Sequence, residues 1–462
     1  MKHLLKTLAD RQEGFVELRY HKRTSNSFLA TKGRVDTANH STIEGVGVRA
    51  LVNGAWGFAA TADLSEKAIA KTIENAKRNA SSIAKLMGGK SKEVRGGKLS
   101  STDFVGPGFD ELCDMSVKDK LGQIIDYEHQ LANSSSAIQT ASCRYSEIME
   151  EKAIVTTDGA FASLKLAQPE FNLSAIAERN GERSSTMSGA GVSGGWQCLY
   201  SHPGLNDLIE KTSKRATDLL NAKSPKGGKK TCILAPSVVG LLCHEAIGHT
   251  VEADFVKAGS IAKGKIGTRV GSDLVSMADS GRENLYGYAV GNIPFDDEGV
   301  ETETTMIIEN GMLKSYLHNR ESALEFGVNP TGNARAWLYK DEPLIRMRNT
   351  YFLPGESTLD EMIAGVEDGY LIEGAGGGQA DANGEFMFGT GWVWEIKNGK
   401  KGALLKKATL SGIAFDVLKS VDAVSKEFRW DLGTGYCGKG QPAKVDAGGP
   451  YIRCQITIGG EQ

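Results

Sequence analysis

VVGLLCHEAIGHTVEADF, residues 238–255, is the stretch on which the reading of the second half of the chain turns. It is apolar up to Cys243, sets His244 and Glu245 side by side, and places a second histidine, His249, five positions after the first. Zinc peptidases carry the related pattern H-E-x-x-H, in which two histidines four apart share one helix face and the glutamate between them is the general base. Four positions bring a regular helix back to within about 40° of the starting face, whereas five leave it about 140° away. A regular helix would therefore send His244 and His249 to different sides. A single π-turn absorbs the extra residue and restores the shared face, and such turns recur at functional sites. Gly248, just before His249, makes that local irregularity inexpensive. A triplet of this kind arises by chance in about one chain in a hundred of this length, so two unrelated, hydrogen-bonded histidines on a buried helix stand as the alternative.

Catalytic zinc takes three protein ligands and leaves one position for water, so a third ligand is required. Two residues qualify. Glu252 lies three positions after His249, on the same face if the helix continues, and a carboxylate is an acceptable ligand. Cys437 lies in DLGTGYCGKGQP, a glycine-rich polar segment that can bring a thiolate close to a metal, with Lys439 nearby to favour ionisation. Cys454 alternates with isoleucines in YIRCQITI and reads as core, as does Cys243, about 100° around the helix from His244. By residue chemistry alone Cys437 leads Glu252 only modestly, and both stay open.

Outward from this run, TCILA predicts a short strand before a helix entered through Pro236 and Ser237, and mostly strands with glycine-rich turns follow. Upstream, FVELRY, NSFLAT and TIEGVGVRALV read as strands separated by short polar turns. Residues 64–87 carry apolar side chains at helical spacing, with Gly88 and Gly89 as the stop; further helices are expected over 116–132 and 205–223, and strands around 136–178. SPKGGKK marks the best boundary, near residue 229. The fold class is α+β: an N-terminal strand-and-helix domain, 1–228, able to divide into two subdomains, and a mostly β C-terminal domain, 229–462, carrying the metal-binding helix.

The 462 residues, with 40% hydrophobic and 24% charged side chains, fit a soluble globular protein of two or three domains. A net charge of −3 without long runs of one sign favours neither a nucleic-acid nor an anionic-membrane partner. No stretch reaches the ~18 apolar residues of a membrane span, and MKHLLKTLADRQEGF lacks the features of a signal peptide. Seven scattered cysteines without a C-x-x-C pair point to a reducing cytoplasm.

A family resemblance goes further. HEAIGHTVEAD (244–254), FDDEGVETETTMIIENGMLKSYLHNRESA (295–323), TGNARA (331–336), RMRNTYFLPGE (346–356), GGGQADANGEFMF (376–388) and GYCGKGQPAKVDAGGPYIR (435–453) together resemble the TldD/PmbA family of metallopeptidases, in its TldD-type active branch. The resemblance implies that His244, His249 and Cys437 bind Zn2+ and that Glu245 is the catalytic base. It also implies short or unfolded peptide substrates, and a homodimer or a heterodimer with a PmbA-type relative. Thr250 departs from the family, which commonly has glycine there, and leaves less room beside the metal. Two other functions remain in view: a non-catalytic partner subunit, which would lack the metal motif, and a structural zinc protein, which would want a fourth protein ligand such as Glu252. Tyr316, His318 and Arg320 are conceivable oxyanion donors but read better as locally satisfied residues. FDDEG reads as a solvated turn. LIEGAGGGQADANGEF reads either as a place where a peptide backbone approaches a sheet edge or as a flexible loop.

Overall fold

Strands of up to 19 residues dominate the N-terminal half. The computed structural model describes residues 1–87, 94, 96–202, 205, 207–282, 289–431 and 433–460. The expected stop at Gly88 and Gly89 lies outside them. Phe15–Thr31 lies at the centre of a seven-stranded sheet, between Arg34–Val52 and Ile138–Thr156, with Ala55–Thr61 beyond the former. Phe161–Arg179 follows Ile138–Thr156 and carries both Asp103–Val105 and Glu182–Gly191 on its far side.

Successive side chains of a strand point to opposite faces, and in Phe15–Thr31 the two faces carry different chemistry. Val16 and Leu18 pack with Val46, Val48, Ile69 and Ile73, under the helix Glu66–Met87. Farther along, Phe28 and Ala30 pack with Ile124 and Leu131 of the helix Val117–Ala132. The opposite face carries Glu17, Arg19, His21 and Arg23, all buried against the C-terminal half. This corrects the expected turn between FVELRY and NSFLAT: the polar HKRTS run continues one strand, because His21, Lys22 and Arg23 find Glu150 and Glu151 on the neighbouring strand Ile138–Thr156. The helix expected over 205–223 is the shorter Leu208–Asp218, followed by a 3₁₀ turn, Leu219–Asn221.

FDDEG is likewise no solvated turn. Asp296, Asp297 and Glu298 are each at most 3% exposed. Asp296 accepts the backbone N–H groups of Glu298, Val300 and Ala334 at 2.9–3.0 Å, which fixes the loop. Asp297 meets Lys152 at 3.1 Å, and Glu298 meets Arg49 at 2.6 Å, with Arg49 also held by Glu17. The loop thus plugs its charges into the charged face of the N-terminal sheet.

The C-terminal half is built on a closed barrel. Gly228–Leu234 pairs in parallel with Asp368–Ala380, which continues through Glu385–Lys397 and Thr409–Ile413 to Asp446–Ile458; that last strand pairs back on Gly228–Leu234. From Asp446–Ile458 the sheet extends outward through Asn349–Phe352, Met277–Ser280, Thr304–Glu309 and Met312–Leu313. The LIEGAGGGQADANGEF segment is a barrel hairpin and not a loop. Its first strand pairs with Gly228–Leu234 only over residues 369–372, and its pairing with the second strand slips between Ala375 and Gly378.

Candidate metal centre

The barrel's first strand feeds directly into the helix quoted at the outset. Pro236 opens it at the first helical position, where its missing N–H costs nothing. Pro236–Leu241 is α-helical and fully buried, packed against Asp446–Ile458, Asp368–Ala380 and Asn349–Phe352. Leu242–Gly248 then widens into a π-helix, and His249–Val251 returns to α. The backbone N–H of His249 bonds to the carbonyl of His244, five residues back. The extra residue is absorbed there, and the two imidazoles come to one side with ring centroids 5.1 Å apart.

Gly248 has another reason than the expected one. Its backbone is ordinary right-handed helix, φ −55° and ψ −51°. A Cβ there would lie 1.9 Å from Sδ of Met347, so glycine is required by close packing and not by conformational freedom.

Cys437 arrives from a separate two-stranded ribbon, Tyr436–Gly438 paired with Pro442–Lys444. Arg346, 1% exposed, donates to the carbonyls of Cys437 at 2.5 Å and Gln441 at 2.6 Å, gripping both sides of the ribbon. One potential ligand atom from each of His244, His249 and Cys437 lies within 4.8 Å of the others, and Cys437 Sγ is 3.3 Å from His249 Nε2. Tetrahedral zinc with ordinary Zn–N and Zn–S bonds spaces its ligands about 3.3–3.7 Å apart. The donor set fits. His244 supports the same conclusion, since it is 3% exposed and neither ring nitrogen has a hydrogen-bond partner. A buried imidazole left so costs its full desolvation, unless a cation takes one of its lone pairs.

Burial opposes ionisation of the Cys437 thiol, but the neighbouring His244 and His249 outweigh it and bring its pKa down to about 4. Lys439 turns its ammonium to Glu252 at 3.0 Å and Asp254 at 2.7 Å. Glu252 lies outside the ligand group. Fully buried, it accepts from His249 Nδ1 at 2.9 Å, which turns Nε2 toward the sulfur. Burial alone would raise the Glu252 pKa, and the bonds to His249 and Lys439 instead hold it below the ordinary value. Metal-binding histidines are commonly oriented by a carboxylate on their other nitrogen.

Glu245 is the member of the motif that stays open, with a side chain 26% exposed and a carboxylate oxygen 3.8 Å from His249 Nε2. Thr250 is buried, with its hydroxyl on the carbonyl of Ile247. Cys243 and Cys454 are core residues. The conceivable oxyanion donors are engaged elsewhere: Tyr316 with the Ala262 carbonyl, His318 with Ser322, and the Arg320 guanidinium with Asp158.

A barrel, a π-turned His-Glu-x-x-x-His helix and a cysteine on a facing ribbon define the class first: a metal-dependent hydrolase architecture. The comparisons name the family. The PmbA/TldA metallopeptidase C-terminal domain matches residues 227–460, domain 1 matches 16–80 and the central domain 110–221. The chain belongs to this PmbA/TldA metallopeptidase family, the one its motifs resemble, and its relatives place it with the TldD-type members. It is 33% identical to a metalloprotease of Methanocaldococcus jannaschii, over 96% of both chains. It is 29% identical to a zinc metalloprotease TldD homolog of Saccharolobus solfataricus, again over 96% of both. Against a metalloprotease TldD homolog of Haemophilus influenzae it is 29% identical over 98% of this chain and 94% of the other. In fold it is similar to TldE of Thermococcus kodakarensis, with a TM-score of 0.78 at 17% identity, over 99% of this chain and 100% of that one. Among the described residues no helix is long and apolar enough to cross a membrane.

Proposed function

We propose that the chain is a zinc-dependent peptidase in which His244, His249 and Cys437 hold the metal and Glu245 is the general base. The observation that carries this reading is the convergence of the site: the buried His244 and Cys437 meet the partly exposed His249, and the Glu245 carboxylate opens beside that ring, 3.8 Å from its Nε2. Zinc held there supplies Lewis acidity toward a peptide carbonyl and acidifies water. The residues of the chain do the rest. Glu245 takes the water proton and passes it to the leaving amine, and Glu252 fixes the His249 ring. A structural zinc site would want a fourth protein ligand, and the candidate for that, Glu252, is engaged by His249 and Lys439.

The substrate is a short or unfolded polypeptide in extended form. Past residue 372 the strand Asp368–Ala380 no longer pairs with Gly228–Leu234, and its glycines keep side chains clear of an approaching backbone. The working assembly is a homodimer, or a heterodimer with a PmbA-type relative, in the cytoplasm. The deciding experiment is Glu245→Gln. This variant keeps about one zinc per chain, measured by elemental analysis, and loses about 10²–10⁴ of its peptide hydrolysis rate. Undiminished cleavage by Glu245→Gln, or loss of the zinc with it, would refute the assignment.

A further inference from the structure

The third proposed ligand has a weak claim to its place. Cys437 is 188 residues from His249 in sequence, and its ribbon is hydrogen-bonded as a strand to neither large sheet. Something must hold it against the helix. We infer that Lys439 is a positioning residue that fastens the cysteine ribbon to the helix exit and keeps the thiolate in register with the two histidines; this rests on the zinc reading above.

Lys439 follows Cys437 by two residues, and its ammonium is turned inward, with a side chain 12% exposed. An ammonium has three N–H groups, and this one meets three acceptors: Glu252 Oε2 at 3.0 Å, Asp254 Oδ1 at 2.8 Å and the Ile345 carbonyl at 3.0 Å. The ammonium also sits over the ring of Phe255, 4.4 Å from Nζ to the centroid. The Glu252 oxygen it binds is the same one that accepts from His249 Nδ1 at 2.9 Å. One carboxylate oxygen therefore joins the ribbon that carries the thiolate to the ring that faces it.

The charge balance points the same way. Glu252 is fully buried and its other oxygen has no partner. A buried carboxylate in that position depends on its counter-charges, and breaking such a pair costs far more than an exposed one. Arg346 also grips the ribbon, but through backbone carbonyls and without a link to His249. Lys439 alone of these two couples the ligands to each other.

Lys439→Met keeps the length of the stem and removes the three donors. Zinc should pass to a chelator about 10- to 100-fold faster than from the wild-type chain, the usual penalty for losing an outer partner of a metal site. Loaded with cobalt instead, the variant should lose much of its near-ultraviolet thiolate-to-cobalt absorption while visible bands from the histidine-bound ion persist. A general loss of fold would remove both together. Lys439→Arg, which restores charge and donors, should recover part of each signal. The double variant Lys439→Met/Glu252→Gln leaves no uncompensated buried charge, so it keeps the test open if Lys439→Met folds poorly; it should still show the weakened thiolate band. Wild-type zinc release and wild-type thiolate absorption in a folded variant lacking Lys439 would overturn the inference alone. A wild-type chain that takes up neither zinc nor cobalt would overturn the zinc reading and this inference with it.

Discussion

Gly248→Ala separates two accounts of the turn that carries His249. On backbone grounds alanine should cost little, because the observed φ of −55° and ψ of −51° suit any residue. Helix propensity alone would even favour alanine by about 1 kcal/mol. Packing predicts the opposite. The new methyl would sit 1.9 Å from Met347 Sδ and 3.0 Å from its Cε, and Met347 is completely buried, so the thioether cannot swing into solvent. Overpacking of this kind costs about 1–3 kcal/mol, less the propensity gain, so net destabilisation of about 0–2 kcal/mol is expected. Truncating Met347 to Ala alone should cost about 2–5 kcal/mol as a cavity. The double variant should then be more stable than the two single effects predict, by about 1–3 kcal/mol, because the alanine methyl enters space the methionine has vacated. Urea unfolding of the four proteins, all stripped of metal, measures this coupling. Additivity within about 0.5 kcal/mol would show that no steric conflict exists and that the packing account of Gly248 is wrong.

Two further outcomes are expected. Burial holds His318 neutral and lowers its pKa from 6.5 to about 4, so between those values the unfolded chain binds a proton that the folded chain refuses. The associated stability is present above about pH 6.5 and is lost as pH falls toward 4, amounting to about 2–3 kcal/mol by pH 4.5. His318→Gln should flatten the urea-measured stability profile by that amount in that window, and an unchanged slope would discount the burial of His318 as its cause. If the proposed dimer encloses the site so that only unfolded chains reach it, the protein should run as a dimer in sizing chromatography and cut a denatured, alkylated protein much faster than the same protein native; equal rates on both forms would rule out such a filter.

The irregular turn of the histidine helix was legible because geometry left few choices. Histidines five apart with a glutamate between them make sense at one metal only if the helix gains a residue, and the π-helix Leu242–Gly248 does that. Cys437 was less legible from residue chemistry: its rival, Glu252, was equally suitable in charge and nearer in sequence. What separates them is tertiary. Glu252 reaches the far nitrogen of His249, and only the folded chain shows which ring nitrogen faces the sulfur. The role of Gly248 was misread for a related reason, since Met347, the residue that forbids a side chain there, lies about a hundred positions downstream.

Polarity misled most where charges find charges. HKRTS and FDDEG look like solvent-facing segments, because a short window shows only one side of each pair. Their partners are far off: His21 and Glu150 are 129 residues apart, Lys152 and Asp297 145, Arg49 and Glu298 249. Once paired, these groups do more than fill an interface. Arg23, on the same charged strand face, stacks on Trp337 with its guanidinium 3.3 Å from the ring centroid. The backbone N–H of Trp337 donates to the Gln441 side chain at 2.7 Å, and its ring meets that of Tyr436 edge-on at 6.0 Å. Gln441 and Tyr436 flank the cysteine on its ribbon. The N-terminal sheet therefore supports the thiolate from one side through Arg23 and Trp337, while Lys439 and Arg346 hold it from the other. The position of the third donor is thus set by both halves of the chain, although all three proposed ligands are encoded in the second.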